Sequence, residues 1–234
     1  MIGSYAGTGG SLWWSIGDHE VYHYETEVGE VFGEDTDGLD DSTYSFVHSG
    51  TPGIVDRMSR NVKALIDEYG GPMTTIVDLC KKAGLEFFPR VRMNSHYEID
   101  SRHPAYGRFR RERPDLMIGN ASKWVSAQYG PKKFPEGSIE SGIRTGKNYA
   151  FPEVREYMFH IISETFERFD VDGVELDFMR HPGYFRVDEA YQNRYLMTDL
   201  ISRVRSRMDK ISIQRGKRIK LAVRVPPTLS DSAR

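Results

Sequence analysis

This 234-residue sequence has a single cysteine, no long apolar run and no large excess of either charge. Cys80 is its one cysteine, so no disulfide can form within the chain. No apolar run is long enough to cross a bilayer, and residues 1–10 lack the charged and apolar regions of a signal peptide, which leaves the localisation open. The 32 basic and 34 acidic residues give a net charge of −2. We therefore predict neither a nucleic-acid partner nor a membrane partner, and the sequence makes no prediction of oligomeric state.

Three catalytic motifs are also missing from the sequence. The glycine-rich segment 7–10 lacks the Lys-Ser/Thr ending of a phosphate-binding loop, and neither GxSxG nor HExxH occurs. The leading hypothesis therefore includes no cofactor and no metal. A metal-dependent hydrolase is kept as a weaker alternative, with candidate ligands His96, His103, Asp177 and His181.

The order of amphipathic helix, short turn and apolar strand occurs three times along the chain. Apolar residues at helical spacing are followed each time by a short run typical of a strand. Prolines open the first two helices, and glycines close the first and the third. This order predicts a parallel α/β sheet. The predicted helices are 73–83, one that starts at Pro152, and one that runs from a cap at Asp188 to Gly216; the predicted strands are 85–93, 171–178 and 219–225, and a strand at 11–16 and a helix at 55–69 precede them.

The strand count predicts the N-terminal portion of a (β/α)8 TIM barrel. A short strand at 148–151 would bring the count to about five of the eight strands that a closed barrel needs. We therefore predict that residues 1–234 form a single barrel domain truncated at its C-terminus, with a complete open doubly wound sheet as the alternative. Long loops at 17–53 and 94–147 follow the first two strands, and they either build the binding face or are ordinary connections.

Two carboxylates share one face of the predicted strand at 171–178. Side chains alternate along a strand, so Glu175 and Asp177 point one way while Val174 and Leu176 point the other. Burying carboxylates is costly unless they have a partner or a function. The apolar face is expected to meet the helices, and Asp177 lies nearer the strand's C-terminal end, where barrel enzymes place catalytic groups. We predict Asp177 and Glu175 as catalytic residues.

The neighbouring strands offer cationic partners for these carboxylates. Arg90 and Arg92 share a face of one strand, and Lys220 and Arg224 share a face of another. Deep in the sheet, at Glu175, Arg90 and Lys220, we favour a structural ion-pair network; near the mouth we favour substrate contact. One of Trp13 and Trp14 is expected to face inwards, and alternation does not decide which. The candidate substrate-binding residues are Arg92, Asn94, His96, Arg180, His181, Tyr184, Arg224 and Trp14.

Segments 151–157, 170–182 and 224–228 resemble the glycoside-hydrolase-like proteins often labelled family-10-like, (β/α)-barrel proteins widespread in bacteria. Segment 88–94 and His103-Pro104 match the general layout, and the Asp-Gly-Val-x-x-Asp element at 172–177 is the most specific piece. The resemblance implies a glycosidase in which one acid protonates the leaving oxygen and the other attacks or activates water. Asp177 matches the acid of strand four. The next strand presents Arg224 and no carboxylate, unlike relatives of the alpha-amylase type, so the second acid would lie on a later strand.

These observations predict hydrolysis of O-glycosidic bonds in a poly- or oligosaccharide. Asp177 would be one catalytic carboxylate, with Glu175, Arg92 and Arg224 tuning or orienting it. The arginines favour an acidic sugar, provided that Glu175 and Asp177 do not occupy them. The alternative from another class is a non-catalytic carbohydrate-binding barrel, because the strand that carries Arg224 presents no carboxylate.

Overall fold

The computed structural model describes residues 6–18, 20–34, 54–94, 106–119, 141–179 and 183–226. Within them the chain is a mixed α/β structure. Its strands are β1 (Ser11–Ser15), β2 (Gly17–Asp18), β3 (Val21–Tyr22), β4 (Glu30–Val31), β5 (Glu86–Arg92), β6 (Gly173–Asp177) and β7 (Lys220–Arg224). Its helices are α1 (Ile54–Tyr69), α2 (Pro72–Ala83), α3 (Arg108–Glu112), α4 (Pro152–Glu167) and α5 (Ala190–Arg215), with single 3-10 segments at Pro114–Leu116 and Ser141–Thr145.

Four of these strands form one parallel sheet in the order β1-β5-β6-β7. Every pairing in it is parallel, and the order in space follows the order along the chain without a reversal. The connections between paired strands carry helices, as parallel strands require. The predicted parallel α/β sheet is therefore confirmed, with four strands in place of the predicted five.

The missing fifth strand was expected at 148–151, and that prediction was wrong. These residues form a turn that leads into α4. The Asn148 side chain accepts a hydrogen bond from the Ala150 N–H at 3.0 Å, and the Phe151 N–H donates to the Asn148 carbonyl at 3.2 Å. Local bonds of this kind close a turn and compete with strand pairing.

The segment predicted as an irregular loop at 17–53 contains a small second sheet. Strands β2, β3 and β4 form it, with β2 antiparallel and β4 parallel to β3. Each strand has two residues, which is too short to produce a visible alternation in sequence. The buried Glu164 of α4 holds segment 24–27, between β3 and β4, in place. Its carboxylate accepts hydrogen bonds from the Tyr24 hydroxyl at 2.8 Å, the Thr26 hydroxyl at 2.6 Å and the Glu27 N–H at 2.6 Å.

The helix ends follow from glycine, proline and one remote carboxylate. Pro72 opens α2, and the Glu25 carboxylate accepts hydrogen bonds from the Met73 and Thr74 N–H groups in its first turn. Gly216 ends α5 in the left-handed conformation, as predicted. The predicted cap at Asp188 was wrong, because α5 begins at Ala190 after a turn and Glu189 holds the cap position without a side-chain bond.

One face of the parallel sheet packs against the helices and forms the core. Val174 and Leu176 of β6 are fully buried there, as their alternation predicts, with Phe87 and Val91 of β5 beside them. Burial of such side chains is worth about 1.5–3 kcal/mol each. Helices α2, α4 and α5 contribute the facing residues Met73, Val77, Met158, Ile161, Ile162, Leu200, Val204 and Met208. Among the described helices, none has the length and hydropathy of a membrane span.

Part of the Asp-Gly-Val-x-x-Asp element anchors the N-terminal end of the sheet. The Asp172 carboxylate accepts a hydrogen bond from the Phe87 N–H of β5 at 2.9 Å and pairs with Lys217 at 2.8 Å, just before β7. Asp170 pairs with Lys81 at 2.6 Å, and this bond lowers the pKa of the Asp170 carboxyl. Asp172 thus links β5, β6 and the start of β7, and Asp170 links the same end of the sheet to α2, opposite Asp177, so these contacts are structural.

Gly173 is required by the close approach of a ring. A Cβ atom at this position would overlap Phe88 and lie 2.7 Å from the backbone oxygen of Lys220. Phe88 has little room to move, because it is buried and stacks on Trp13 with ring centroids 4.2 Å apart. The glycine of the element therefore makes space for the aromatic pair.

Gly173→Ala is expected to lower the free energy of unfolding by about 2–3 kcal/mol through overpacking. Gly10→Ala is the matched control, because a Cβ there would meet atoms at ordinary contact distances of 3.5 and 3.9 Å. Denaturant unfolding of both variants measures the difference. Equal stability of the two would contradict the proposed role of Phe88, and Phe88→Val combined with Gly173→Ala should recover part of the loss.

Candidate active site

The strand register brings the predicted charged residues into layers on the face of the sheet opposite the helices. Arg92 of β5, Asp177 of β6 and Arg224 of β7 are register partners and form the layer at the C-terminal end of the strands. Arg90, Glu175 and Ala222 form the layer below it. The sheet thus presents a carboxylate between two guanidinium-bearing residues at the edge where parallel α/β proteins bind ligands.

Asp177 is held by contacts to both of its carboxylate oxygens. The side chain is buried, with 4% of its surface exposed, and the Met179 N–H donates to Oδ1 at 2.9 Å. Arg224 Nη1 lies 3.3 Å from Oδ2. Both contacts use the carboxylate as an acceptor, which suits its ionised form. Asp177 is therefore held in a fixed orientation at the end of β6.

Glu175 is engaged more tightly than Asp177. Arg90 Nε donates to Glu175 Oε2 at 2.5 Å, and the carboxylate is almost completely buried. The structural ion pair predicted here is present. Lys220 contributes to a different pair, with Glu86 of β5, so it does not contact Glu175. Within the charged face, Glu175 and Arg90 neutralise each other one layer below Asp177.

Tyr184, predicted to bind substrate, packs against the edge of the hydrophobic core near the C-terminal end of β6. Burial raises the pKa of its phenol above the usual value, the Asp177 carboxylate adds to the shift, and the Arg92 guanidinium opposes it. Its ring packs edge-on against Tyr149 and Phe178, with centroids 5.8 and 5.4 Å away. Tyr184 therefore keeps its proton and offers a hydroxyl within electrostatic reach of Asp177.

Asn94 joins three chain segments immediately after β5. Its amide nitrogen donates to the carbonyl oxygens of Lys147 and Gly183, at 3.0 and 2.6 Å, and its oxygen accepts from the Lys147 N–H at 2.9 Å. The side chain is buried. Asn94 was predicted to bind substrate; in the structure its amide group holds together the loops that lead to Lys147 and Tyr184.

Asn94→Ala is expected to lower the free energy of unfolding by about 2–3 kcal/mol, because it leaves buried backbone groups of Lys147 and Gly183 without their bonds. Asn61→Ala, at an exposed position of α1, serves as the control and is expected to change stability by less than about 0.5 kcal/mol. Thermal or denaturant unfolding provides the measurement. A wild-type stability for Asn94→Ala would show that the three bonds are not structural.

The sequence analysis missed a buried charged cluster formed by Glu20, Arg110 and Lys147. Lys147 donates to Glu20 Oε1, and their side chains are 1% and 3% exposed. Arg110 Nε donates to the Tyr106 carbonyl at 2.7 Å, and Arg110 also lies over the Tyr106 ring. Burial lowers the pKa of Lys147, and repulsion from Arg110 adds to the effect while Glu20 opposes it. No short motif marks these residues, since 127 positions separate Glu20 from Lys147.

Strain and an unsatisfied atom accompany this buried pair. Glu20 adopts φ 79°, which is unusual for a residue other than glycine. Its Oε2 is buried and has no hydrogen-bond partner among the described residues. The backbone is thus held in a costly conformation that directs the carboxylate to Lys147. The cluster fixes the β2–β3 turn against the loop that Asn94 holds.

The remaining candidates lie elsewhere in the fold or outside the described residues. Trp14 is on the helix-covered face and packs against the core, whereas Trp13 is on the charged face and 38% exposed. Trp13 is in register with Phe88, one layer below Arg90. His96, Arg180 and His181 lie outside the described residues, as does His103, which the metal alternative uses. Among the described residues, no group of three or more metal-ligating side chains occurs.

Comparison with known proteins gives a distant structural likeness. No protein-family model matches the sequence, and no curated protein matches it. The galactosidase domain of the alpha-galactosidase–sucrose kinase AgaSK is similar over 68% of this chain, with 14% sequence identity and a TM-score of 0.38. The similar region covers 18% of that chain. A likeness of this size carries no argument about activity, so the functional proposal below is based on the site.

Proposed function

We propose that this protein is a glycoside hydrolase that cleaves O-glycosidic bonds of a poly- or oligosaccharide, with Asp177 as one of two catalytic carboxylates. The observation that carries the proposal is the buried Asp177 carboxylate, held in register between Arg92 and Arg224 at the C-terminal end of a parallel strand. A carboxylate oriented by donors on both oxygens can attack an anomeric carbon or activate water. The resemblance of segment 170–182 to glycoside-hydrolase-like proteins supports the same role.

The proposal assigns the sheet to a (β/α)8 barrel. Support comes from the strand order β1-β5-β6-β7, in which each strand pairs with the next parallel strand along the chain and helices cover one face. Doubly wound sheets instead reverse their order at a switch point. The charged face would then line the barrel interior, with Asp177 at the mouth. A structure of the protein in which the sheet stays open or an added strand pairs antiparallel would contradict the barrel.

The acceptor contacts of Asp177 favour the nucleophile or base role over the acid role. A proton donor to the leaving oxygen must be protonated, whereas Asp177 accepts bonds from Met179 and Arg224. Glu175 is a poor candidate for the second catalytic group, because Arg90 occupies it at 2.5 Å. The proposed acid would come from another part of the protein.

A non-catalytic carbohydrate-binding barrel is the second candidate function. The observation that favours it is the polar face of β7, which carries Lys220, Ala222 and Arg224 and no carboxylate. Without a second acid near Asp177, the same face of the sheet would bind a saccharide and leave it intact. The two candidates share the binding surface and differ in turnover.

A saccharide panel tests both candidates. Release of reducing ends measures turnover, and calorimetry measures binding, for the wild-type protein and for Asp177→Asn. Turnover that disappears in Asp177→Asn while binding remains supports the hydrolase. Binding without turnover in either protein supports the binding barrel, and a protein that neither binds nor cleaves any saccharide contradicts both.

A further inference from the structure

Arg224 differs from Arg90 and Lys220, two other cations of the charged face, in how many of its donors are bonded. The pairs Arg90 with Glu175 and Lys220 with Glu86 each have a short, direct contact. Arg224 makes one side-chain hydrogen bond among the described residues, from Nη1 to Asp177 Oδ2 at 3.3 Å. Its Nε and Nη2 donate to none of the described residues. A guanidinium has five N–H donors, so among the described residues most of the donors of Arg224 have no acceptor.

Arg224 lies where its remaining N–H donors could reach a ligand. Its side chain is 47% exposed, against 30% for Arg90, and it lies in the uppermost layer at the C-terminal end of β7. Arg92 occupies the same layer on the other side of Asp177. Another anion placed beside the buried Asp177 would be repelled unless a cation lay between them. Arg224, which already contacts Asp177 and is partly exposed, can contact both.

We propose that Arg224 binds a carboxylate group of the substrate, so that the site selects saccharides containing uronic acid over neutral ones. This inference rests on the proposed function of the same site. The planar guanidinium fork matches a carboxylate with two parallel N–H donors, while its remaining contact keeps Asp177 in place. A neutral hydroxymethyl group at the same position gains no such pair.

Matched saccharides provide the test of this selectivity. The probes are uronic-acid oligosaccharides and their carboxyl-reduced counterparts, which differ only in carrying a carboxylate or a hydroxymethyl group. Charge-assisted bonds of this type change affinity by about 10-fold to 100-fold, so wild-type protein is expected to prefer the uronates by that factor. Arg224→Gln should remove the preference, and Arg224→Lys should remove most of it because an ammonium lacks the planar fork.

Arg218→Gln is the matched control. Arg218 is exposed in the turn before β7, at the opposite end of the strand from Arg224. The variant should keep the preference for uronates. Circular dichroism of each variant confirms that the fold is intact, and Arg224→Lys provides a second readout if Arg224→Gln is unstable.

The outcomes separate this inference from the proposed function. Equal cleavage of uronate and reduced saccharides would overturn the inference and leave the hydrolase standing. Binding of uronates that depends on Arg224, without cleavage, would support the inference and overturn the hydrolase. A preference for uronates that survives in Arg224→Gln would overturn the inference. Binding of neither saccharide of the pair would also overturn the inference, whereas the hydrolase is contradicted only if the protein cleaves no saccharide of the wider panel.

Discussion

Asp177→Asn is expected to reduce kcat for the saccharide substrate by about 10²-fold to 10⁴-fold and to leave its Kd close to that of the wild type. Asparagine has the shape of aspartate but is neither a nucleophile nor a base. Its oxygen can still accept the Met179 N–H bond that holds the turn after β6. The chemical step is therefore lost while the shape of the site remains.

The stability of this variant should change little, which makes the kinetic result interpretable. The contact that it loses is the 3.3 Å pair with Arg224, and because the Arg224 side chain is half exposed, water can solvate its guanidinium once the pair is gone. Asp199→Asn, at an exposed position of α5, is the matched control and should keep full activity. If Asp177→Asn retained wild-type kcat, the proposed role of Asp177 would be wrong.

The proposed catalytic role of Asp177 also predicts a different result for the neighbouring carboxylate. Glu175→Gln removes the charge that neutralises Arg90 in the layer below Asp177. An uncompensated, partly buried guanidinium lowers stability, so this variant is expected to unfold at lower denaturant concentration. Comparison of kcat and unfolding for the two variants therefore separates a catalytic carboxylate from a structural one.

The main sheet was predictable because its sequence signals are local. Alternation along 174–177 and the apolar spacing of the helices predict which side chains pack in the core. Pro72, Pro152 and Gly216 mark helix ends. The sequence did not predict strands β2, β3 and β4, because a strand of two residues is too short to show an alternation of apolar and polar residues. The prediction of a strand at 148–151 was wrong because hydrogen bonds around Asn148 close a turn there.

The candidate site divides in the same way. Parallel neighbours in register bring Arg92, Asp177 and Arg224 into one layer, as alternation and position along the strands predicted; their role in a site stays a prediction. Alternation did not decide between Trp13 and Trp14, since either phase of β1 fits its sequence. The buried role of Asn94 depends on the loops that carry Lys147 and Gly183, 53 and 89 residues away, and no local pattern encodes such contacts.

Lys147→Met is expected to lower the free energy of unfolding by about 3–5 kcal/mol, which is the largest stability effect that we predict. Methionine fills the space of the lysine stem but leaves the buried Glu20 carboxylate without the partner of its Oε1. Its Oε2 already lacks a partner among the described residues, so the whole group would be desolvated without compensation. Equilibrium unfolding in urea gives the value.

A double-mutant cycle shows whether this loss belongs to the Glu20–Lys147 pair. Glu20→Gln combined with Lys147→Met removes both charges, so the double variant should be more stable than the sum of the single losses predicts, by about 1–3 kcal/mol. Lys63→Met is the control, because Lys63 pairs with Asp67 on the surface and is 77% exposed; it should cost less than about 1 kcal/mol. Additive losses in the cycle would mean that Lys147 stabilises the fold through its packing, and that the strained turn at Glu20 is held by other contacts.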